Sequence, residues 1–351
     1  MVVLNFLLAG VIFISCECNA EELNPVSQNN NPAKSDTVQV KSYGNYSSTQ
    51  LPESGKPGNQ SAVGEEVLSS NEPSEDNFKS AKIVGEVGTY TVKKHENIRL
   101  VAAKLGVTRE QLIKMNGLSP KSSLKPGQEL SYNNRKIIPK TVNYGIIINI
   151  PDKTIYYFKN GKIQRVLPVA LGVPVKNKKY DWETPTGRFK IVAKIKNPKW
   201  TVPPSIQDEM EEKGETVITE VPPGPKNPLG HYAMRTSLPG ILIHSTTSPG
   251  SVYSFASHGC IRVYPTEMES FFKEVAVRTP GEIIYRPVKL AVTENGRIFL
   301  EVHKDVYRMA KNLNIEAKRL IEKENLADRV DWNKVNSVIK KKDGVAEDIT
   351  L

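Results

Sequence analysis

The sequence predicts an α+β multidomain chain: a small strand-helix-helix-strand module, a β-rich domain after it, and a helical C-terminal tail. Three features carry this expectation. The 351 residues exceed what one ordinary core holds. Residues 90–132 pass from alternating to helical apolar spacing and back, and the Asn-Gly pairs at Asn160-Gly161 and Asn295-Gly296 join β-prone runs, the strongest short hairpin signal. Between those pairs, eight prolines from Pro185 to Pro228 disfavour long helices and suit loops decorating a sheet.

The chain opens with MVVLNFLLAGVIFISCECNAEE, apolar from Val2 to Ile14 apart from Asn5. That run is too short to span a bilayer comfortably and fits the apolar core of an export signal over residues 1–20, with no Lys or Arg ahead of it. Two cleavage readings stand side by side. Phe13-Ile14-Ser15-Cys16 resembles a bacterial lipobox, which would leave a lipid anchor on Cys16; Cys18-Asn19-Ala20 resembles an ordinary small-x-small site. Either way the expected location is the periplasm or cell envelope, and any membrane contact is through that anchor. Of three cysteines, cleavage after Ala20 would leave only Cys260. A lone exported thiol calls for an explanation. Residues 21–85, rich in Asn, Ser, Pro, Gln and Glu, cannot bury enough surface to fold and are expected to be a disordered linker.

In TYTVKKHENIRLVAAKLGVTREQLIKMNGLSPKSSLKPGQELSY, Tyr90 and Val92 alternate as in a strand, and Ile98, Val101, Ala102 and Leu105 fall at helical spacing before Gly106. A second helix follows Thr108, and Leu124-Lys125-Pro126-Gly127 turns the chain into a closing strand. Over residues 88–133 this resembles a LysM module, and the resemblance implies binding to wall glycan. His95, Glu96 and Asn97 stand where that family usually has Gly, Asp and Thr or Ser, on the loop that meets sugar.

Beyond Tyr144, GIIINI, TIYYF and KIQRVLPVALG read as strands, and Met268, Phe271, Phe272 and Val275 after Pro265 read as an amphipathic helix. The chemistry concentrates in ILIHSTTSPGSVYSFASHGCIRVYP. His244 closes an apolar run expected to be a buried strand, and Cys260 opens another. The loop between them holds Pro249, Gly250 and several Ser and Thr residues, so it can fold back and bring the two side chains together. A Cys-His pair suits covalent acyl transfer, in which imidazole takes the thiol proton and the thiolate attacks. Gly259 allows a tight bend that turns backbone N–H groups toward a developing oxyanion. From Val221 to Thr266 there is no Asp or Glu, while Lys226, Arg235 and Arg262 are present. Such a site favours thiolate and attracts carboxylates. The carbonyl of Ser245 is then the nearest group able to orient His244. By alternation His258 could also reach Cys260.

His244, twelve loop residues, then Ser257-His258-Gly259-Cys260-Ile261-Arg262 resembles the signature of the YkuD family of L,D-transpeptidases, in its ErfK/YbiS-like branch. TPTGRF at 184–189 and NPKWTVPPSI at 197–206 support the resemblance. It implies a β-rich, sandwich-like catalytic domain over 143–288, with Cys260 as nucleophile, His244 as base, and Ser245, Ser257, His258 and Gly259 in support. Arg262 and Tyr232 are expected at the substrate; Arg262 pairs equally well with a neighbouring acid. The implied substrates are peptidoglycan stem peptides: a thioester forms at the third residue, D-alanine leaves, and an amine of a second stem or of a wall-anchored lipoprotein takes the acyl group. No cofactor is implied. Residues 289–351 are expected to form a hairpin and helical extension with a ragged end, Asp331 capping its last helix.

Other readings remain. A free cysteine is often a small buried hydrophobe. Zinc on His244, His258 and Cys260 is chemically conceivable but lacks a paired-ligand motif. His231 and His303 are read as structural or exposed. The net charge of +10 attracts polyanions, yet no run mixes basic with aromatic residues as a nucleic-acid surface does. Three function classes are left: a transpeptidase, a hydrolase passing the same thioester to water, and a non-catalytic wall-binding protein.

Overall fold

In the computed structural model the described residues are 83–351; the expected export signal, Cys16 and residues 21–82 of the expected linker lie outside them. The last residues of that linker are already a strand. β1 (Ile83–Val84) leads into β2 (Val87–Thr91), α1 (Ile98–Leu105), α2 (Arg109–Met115), β3 (Glu129–Asn133) and β4 (Lys136–Ile137). β2 pairs with β3, and β1 with β4, both antiparallel. Ile83 packs on Ile137 and Phe299, which gives this apolar pair a reason to order. Asn97 caps α1 by accepting from the Leu100 N–H at 3.0 Å, and Gly106 ends it at φ 64°. Thr108 and Gln111 form a capping box on α2. Val101, Leu112 and Leu130 are fully buried in the module's own core. Glu96 accepts from Tyr90 Oη at 2.9 Å, the Lys93 N–H at 2.8 Å and Lys104 Nζ at 2.5 Å. Of the three unusual loop residues, Glu96 and Asn97 therefore serve the module's own structure.

The β-rich domain runs through β5 (Gly145–Asn149), β6 (Thr154–Lys159), β7 (Lys162–Gly172), β8 (Gly187–Lys196), β9 (Trp200–Thr201), α3 (Pro204–Glu212), β10 (Glu220–Val221), β11 (Tyr232–Thr236), β12 (Leu242–His244), β13 (Phe255–Ser257), β14 (Ile261–Val263), α4 (Pro265–Glu274) and β15 (Pro280–Ile284). Nine of these strands form one mixed sheet in the order β13-β7-β14-β12-β11-β8-β15-β5-β6, and β6 pairs again with β7. The sheet is thus closed and barrel-like, where a β-rich, sandwich-like domain was expected. The cause is β7, whose first part pairs with β6 as far as Pro168 opposite Thr154, and whose last part pairs with β14 through Val169 and Ala170. Proline has no N–H to give a ladder, so Pro168 sits where the strand changes partners. The core combines inward residues of the sheet, such as Ile146, Ile148, Ile243 and Ile261, with Met268 and Phe271 of α4.

The C-terminal part is more than a helical tail. β16 (Val288–Val292) and β17 (Ile298–Val302) form the expected hairpin, α5 (Leu313–Lys323) and α6 (Trp332–Lys341) follow, and β18 (Glu347–Asp348) returns to pair with β17. Asp331 caps α6, accepting from the N–H groups of Asn333 and Lys334. The end is not ragged, because the fully buried Ala346 and Ile349 flank the last strand. Lys289 links this part to the barrel: its ammonium lies 2.6 Å from Asp152 and 2.8 Å from Glu301, all three buried, and His303 Nε2 meets Glu301 at 2.6 Å. Asp152, Glu301 and His303 are the one grouping of metal-type ligands among the described residues. The Lys289 ammonium already supplies the cation there.

Candidate active site

β12 ends on His244 and β14 starts one residue after Cys260; the strands pair in parallel, Ile243 beside Ile261 and His244 beside Arg262. Both isoleucines point into the core. Side chains alternate along strands, so Leu242, His244, Cys260 and Arg262 share the opposite face. The apolar run Ile241-Leu242-Ile243 and its partner Ile261-Arg262-Val263 thus bring together a histidine and a cysteine sixteen residues apart.

His244 is buried, and its Nδ1 lies 2.5 Å from the Ser245 carbonyl oxygen. A carbonyl can only accept, so Nδ1 carries the proton and Nε2 is the basic nitrogen; the Leu229 carbonyl also acts on the ring and favours its protonated form. Burial and, next, the Arg262 guanidinium push the imidazole down to about 4. Cys260 is half-buried, and its thiol donates to the Gly240 carbonyl at 3.3 Å. Burial raises this thiol above its ordinary range, against the lowering effect of the Leu242 N–H and Arg262. The expectation of a thiolate from local charge is corrected on this point: desolvation of a small anion outweighs one neighbouring cation. The resting pair is a thiol and a neutral imidazole.

The turn before Cys260 is held from three sides. Ser257 Oγ donates to the Cys260 carbonyl at 2.5 Å. Gly259 adopts φ 103°, where a side chain would be strained, and a Cβ there would stand 3.4 Å from Ile241 Cδ1. Thr184 Oγ1 donates to the Gly259 carbonyl at 2.9 Å and itself accepts from the Gly172 N–H at 2.9 Å. Tyr307 completes the set, donating to the Gly172 carbonyl at 2.6 Å and accepting from the Thr184 N–H at 3.1 Å. In a trans peptide C=O and N–H point opposite ways. Tying the Gly259 carbonyl to Thr184 therefore directs the Cys260 N–H away from it, as a donor for an oxyanion. Sequence reasoning missed Thr184, visible only inside TPTGRF, and Tyr307, which carries no local signal.

His258 turns elsewhere. Its Nε2 lies 3.0 Å from Glu209 Oε2 on α3, and its ring meets Trp182 edge-on at 4.4 Å, with Trp182 stacked on Tyr180. Burial lowers its pKa, opposed by Glu209. The fold thus brings a carboxylate into surroundings that lack one along the sequence, and moors α3, which buries none of its own residues, beside the Cys260 turn. With Nε2 engaged by Glu209, His258 does not group with His244 and Cys260 as a zinc set. Arg262 is half-buried and forms no hydrogen bond or ion pair among the described residues. Tyr232 is not brought to the site. It shares a face with the core residue Met234, and its ring packs on Phe272 of α4 at 4.9 Å; only its carbonyl approaches, accepting from the Ser245 N–H at 2.9 Å. His231 is exposed beside Asn197.

The region that holds this face is similar to known proteins. Residues 143–283 match the family model of the L,D-transpeptidase catalytic domain (YkuD), and residues 90–131 match the LysM domain. The probable L,D-transpeptidase ErfK/SrfK of Escherichia coli K12 is 27% identical over 281 residues, 77% of this chain and 88% of that protein. The probable L,D-transpeptidase YbiS of the same organism is 33% identical over 51% of this chain and 57% of its own length, and YcfS is 29% identical over 64% and 70%. The His244/Cys260 face lies in the matched region, and the chain carries a YkuD-type L,D-transpeptidase catalytic domain, that of an acyltransferase enzyme, with a LysM domain ahead of it.

Proposed function

We propose that the protein is an exported peptidoglycan L,D-transpeptidase in which Cys260 is the acyl carrier. The supporting observation is the shared face of β12 and β14, which carries a neutral His244, its Nδ1 held by the Ser245 carbonyl, and the Cys260 thiol. His244 takes the thiol proton as sulfur attacks the carbonyl of the third stem residue. The C–N bond to the terminal D-alanine then breaks, and the proton passes from His244 to that amine. An amine, either a side chain of another stem or a lysine of a wall lipoprotein, attacks the thioester and returns sulfur to the thiol. The Cys260 N–H, directed by Thr184, and the Leu242 N–H at the thiol would serve as donors for the oxyanion. Arg262, cationic and without an acid partner, suits a stem carboxylate. Ser245 orients the base, Ser257 and Gly259 shape the turn, and His258 joins it to α3. The LysM domain would hold the enzyme on wall glycan.

The test is incubation of the purified chain with tetrapeptide muropeptides, with and without a free diamino-acid amine, followed by mass analysis. The amine-exchanged product supports transfer. Release of D-alanine with only the hydrolysed tripeptide product would make the protein a carboxypeptidase of the same fold.

A further inference from the structure

A cavity of about 1110 Å³ lies apart from the Cys260 turn, between the LysM helices, residues 248–256 of the barrel and two segments of the C-terminal part. Its floor is Lys153 beside Tyr253. Lys153 is 8% exposed, yet its ammonium holds no carboxylate: it meets the Pro151 carbonyl at a long 3.4 Å and lies 4.4 Å from the Tyr253 ring centre and 5.3 Å from that of Phe255. Both floor residues are bulky and both take left-handed backbone, φ 50° at Lys153 and φ 63° at Tyr253. Such conformations cost on the order of 1–3 kcal/mol each and persist where the surroundings over-determine them, commonly at ligand clamps.

The walls add cations without acid partners, although the Arg109 guanidinium also donates to the Pro120 carbonyl. Arg99, Lys304 and Lys342 line the cavity and form no ion pair among the described residues, and Arg109 keeps a buried Nε with no hydrogen-bond partner. The lining acids are Glu110 and Asp343. Leu100, Val107, Val252 and Val306 supply apolar surface between the charges. A neutral glycan would leave the cations unanswered, whereas a short chain with several carboxylates and aliphatic side groups satisfies both features.

We propose that this cavity is a second peptide site, which binds the carboxylates of a neighbouring stem of the wall polymer while Cys260 works on another. The proposal rests on the wall-polymer reading above. Residues 248–256 connect His244 to Cys260, so a stem in the cavity touches the segment that joins base and nucleophile.

The experiment is a titration of the full exported chain, carrying Cys260→Ala so that the stem is not consumed, with a soluble tetrapeptide stem, followed by NMR or calorimetry. Lys304→Glu reverses one charge at an exposed position and leaves the core intact; Lys153→Met removes the buried ammonium and keeps its length. A binding event weakened at least tenfold by each substitution is expected. Inorganic phosphate at equal ionic strength should displace the stem only weakly. Stem binding indifferent to both substitutions overturns the proposal, and so does phosphate binding at the cavity where the stem does not bind. D-alanine release is measured separately on the unsubstituted chain. If release is absent while the Lys304-sensitive event is present, the catalytic reading falls and the cavity stands.

Discussion

Thr184→Val keeps the shape of the side chain and deletes only its hydroxyl. That hydroxyl joins two buried groups, donating to the Gly259 carbonyl at 2.9 Å and accepting from the Gly172 N–H at 2.9 Å. A buried polar group left without a partner costs about 1–3 kcal/mol. Both groups are stranded together, so a stability loss of about 2–4 kcal/mol is expected in urea unfolding, still within what a folded domain of this size tolerates. The catalytic effect is separate. With its carbonyl released, the 259–260 peptide can rotate and the Cys260 N–H loses its direction. Loss of one oxyanion donor costs about 10²–10³-fold in kcat, which bounds the effect; KM for a soluble stem should stay within a few-fold. Thr184→Ser restores the hydroxyl and should restore most of the rate. The assay is D-alanine release from a soluble tetrapeptide stem under conditions where near-ultraviolet circular dichroism shows every variant folded. A Thr184→Val enzyme that loses stability but keeps kcat within twofold would refute the link between Thr184 and the oxyanion donor.

His244→Ala should lower kcat by about a hundredfold or more, as expected for a lost general base, while His258→Ala, whose ring holds Glu209 and Trp182, should lower it less; the reverse ranking in steady-state kinetics would exchange their roles. His244 also predicts a pH dependence of stability. Its pKa is about 4 in the fold against 6.5 for an ordinary histidine, so between these values the unfolded chain holds more protons and stability falls as pH drops. The loss between pH 7 and pH 4.5 should be about 2–3 kcal/mol greater in the parent than in His244→Gln, measured by urea unfolding; equal losses would contradict a buried neutral imidazole. Removing the LysM domain should raise KM on polymeric wall more than on soluble muropeptides, because tethering raises local concentration without touching the chemical step. Equal loss on both substrates would assign the domain a structural role.

What the sequence made legible was local. Gly106, Thr108 and Asp331 mark helix ends because a turn or a cap is set by a few neighbouring residues, and the Asn295-Gly296 hairpin is readable for the same reason. The pairing of the strands that carry His244 and adjoin Cys260 was legible because each residue borders an apolar strand run. The rest depended on contacts between distant segments. Closure of the barrel rests on one strand changing partners at Pro168, which no periodicity displays. Glu209 reaches His258 from 49 residues away, and Tyr307 reaches Thr184 from 123. The protonation state was misjudged by counting charges, since burial decides it and burial is not written in a local stretch. Tyr232 was expected at the substrate, yet strand alternation from the core residue Met234 turns its ring toward α4.

The central claim is that Cys260 carries the acyl group, and intact-protein mass spectrometry tests it most directly. The purified chain is mixed with a tetrapeptide stem in the absence of any acceptor amine, quenched in acid after a short interval, and digested to locate the adduct. The account predicts an added mass equal to the stem minus D-alanine, on the peptide containing Cys260, lost on treatment with hydroxylamine and missing from Cys260→Ala. An adduct on another residue, or D-alanine release by Cys260→Ala at the rate of the parent, would contradict it.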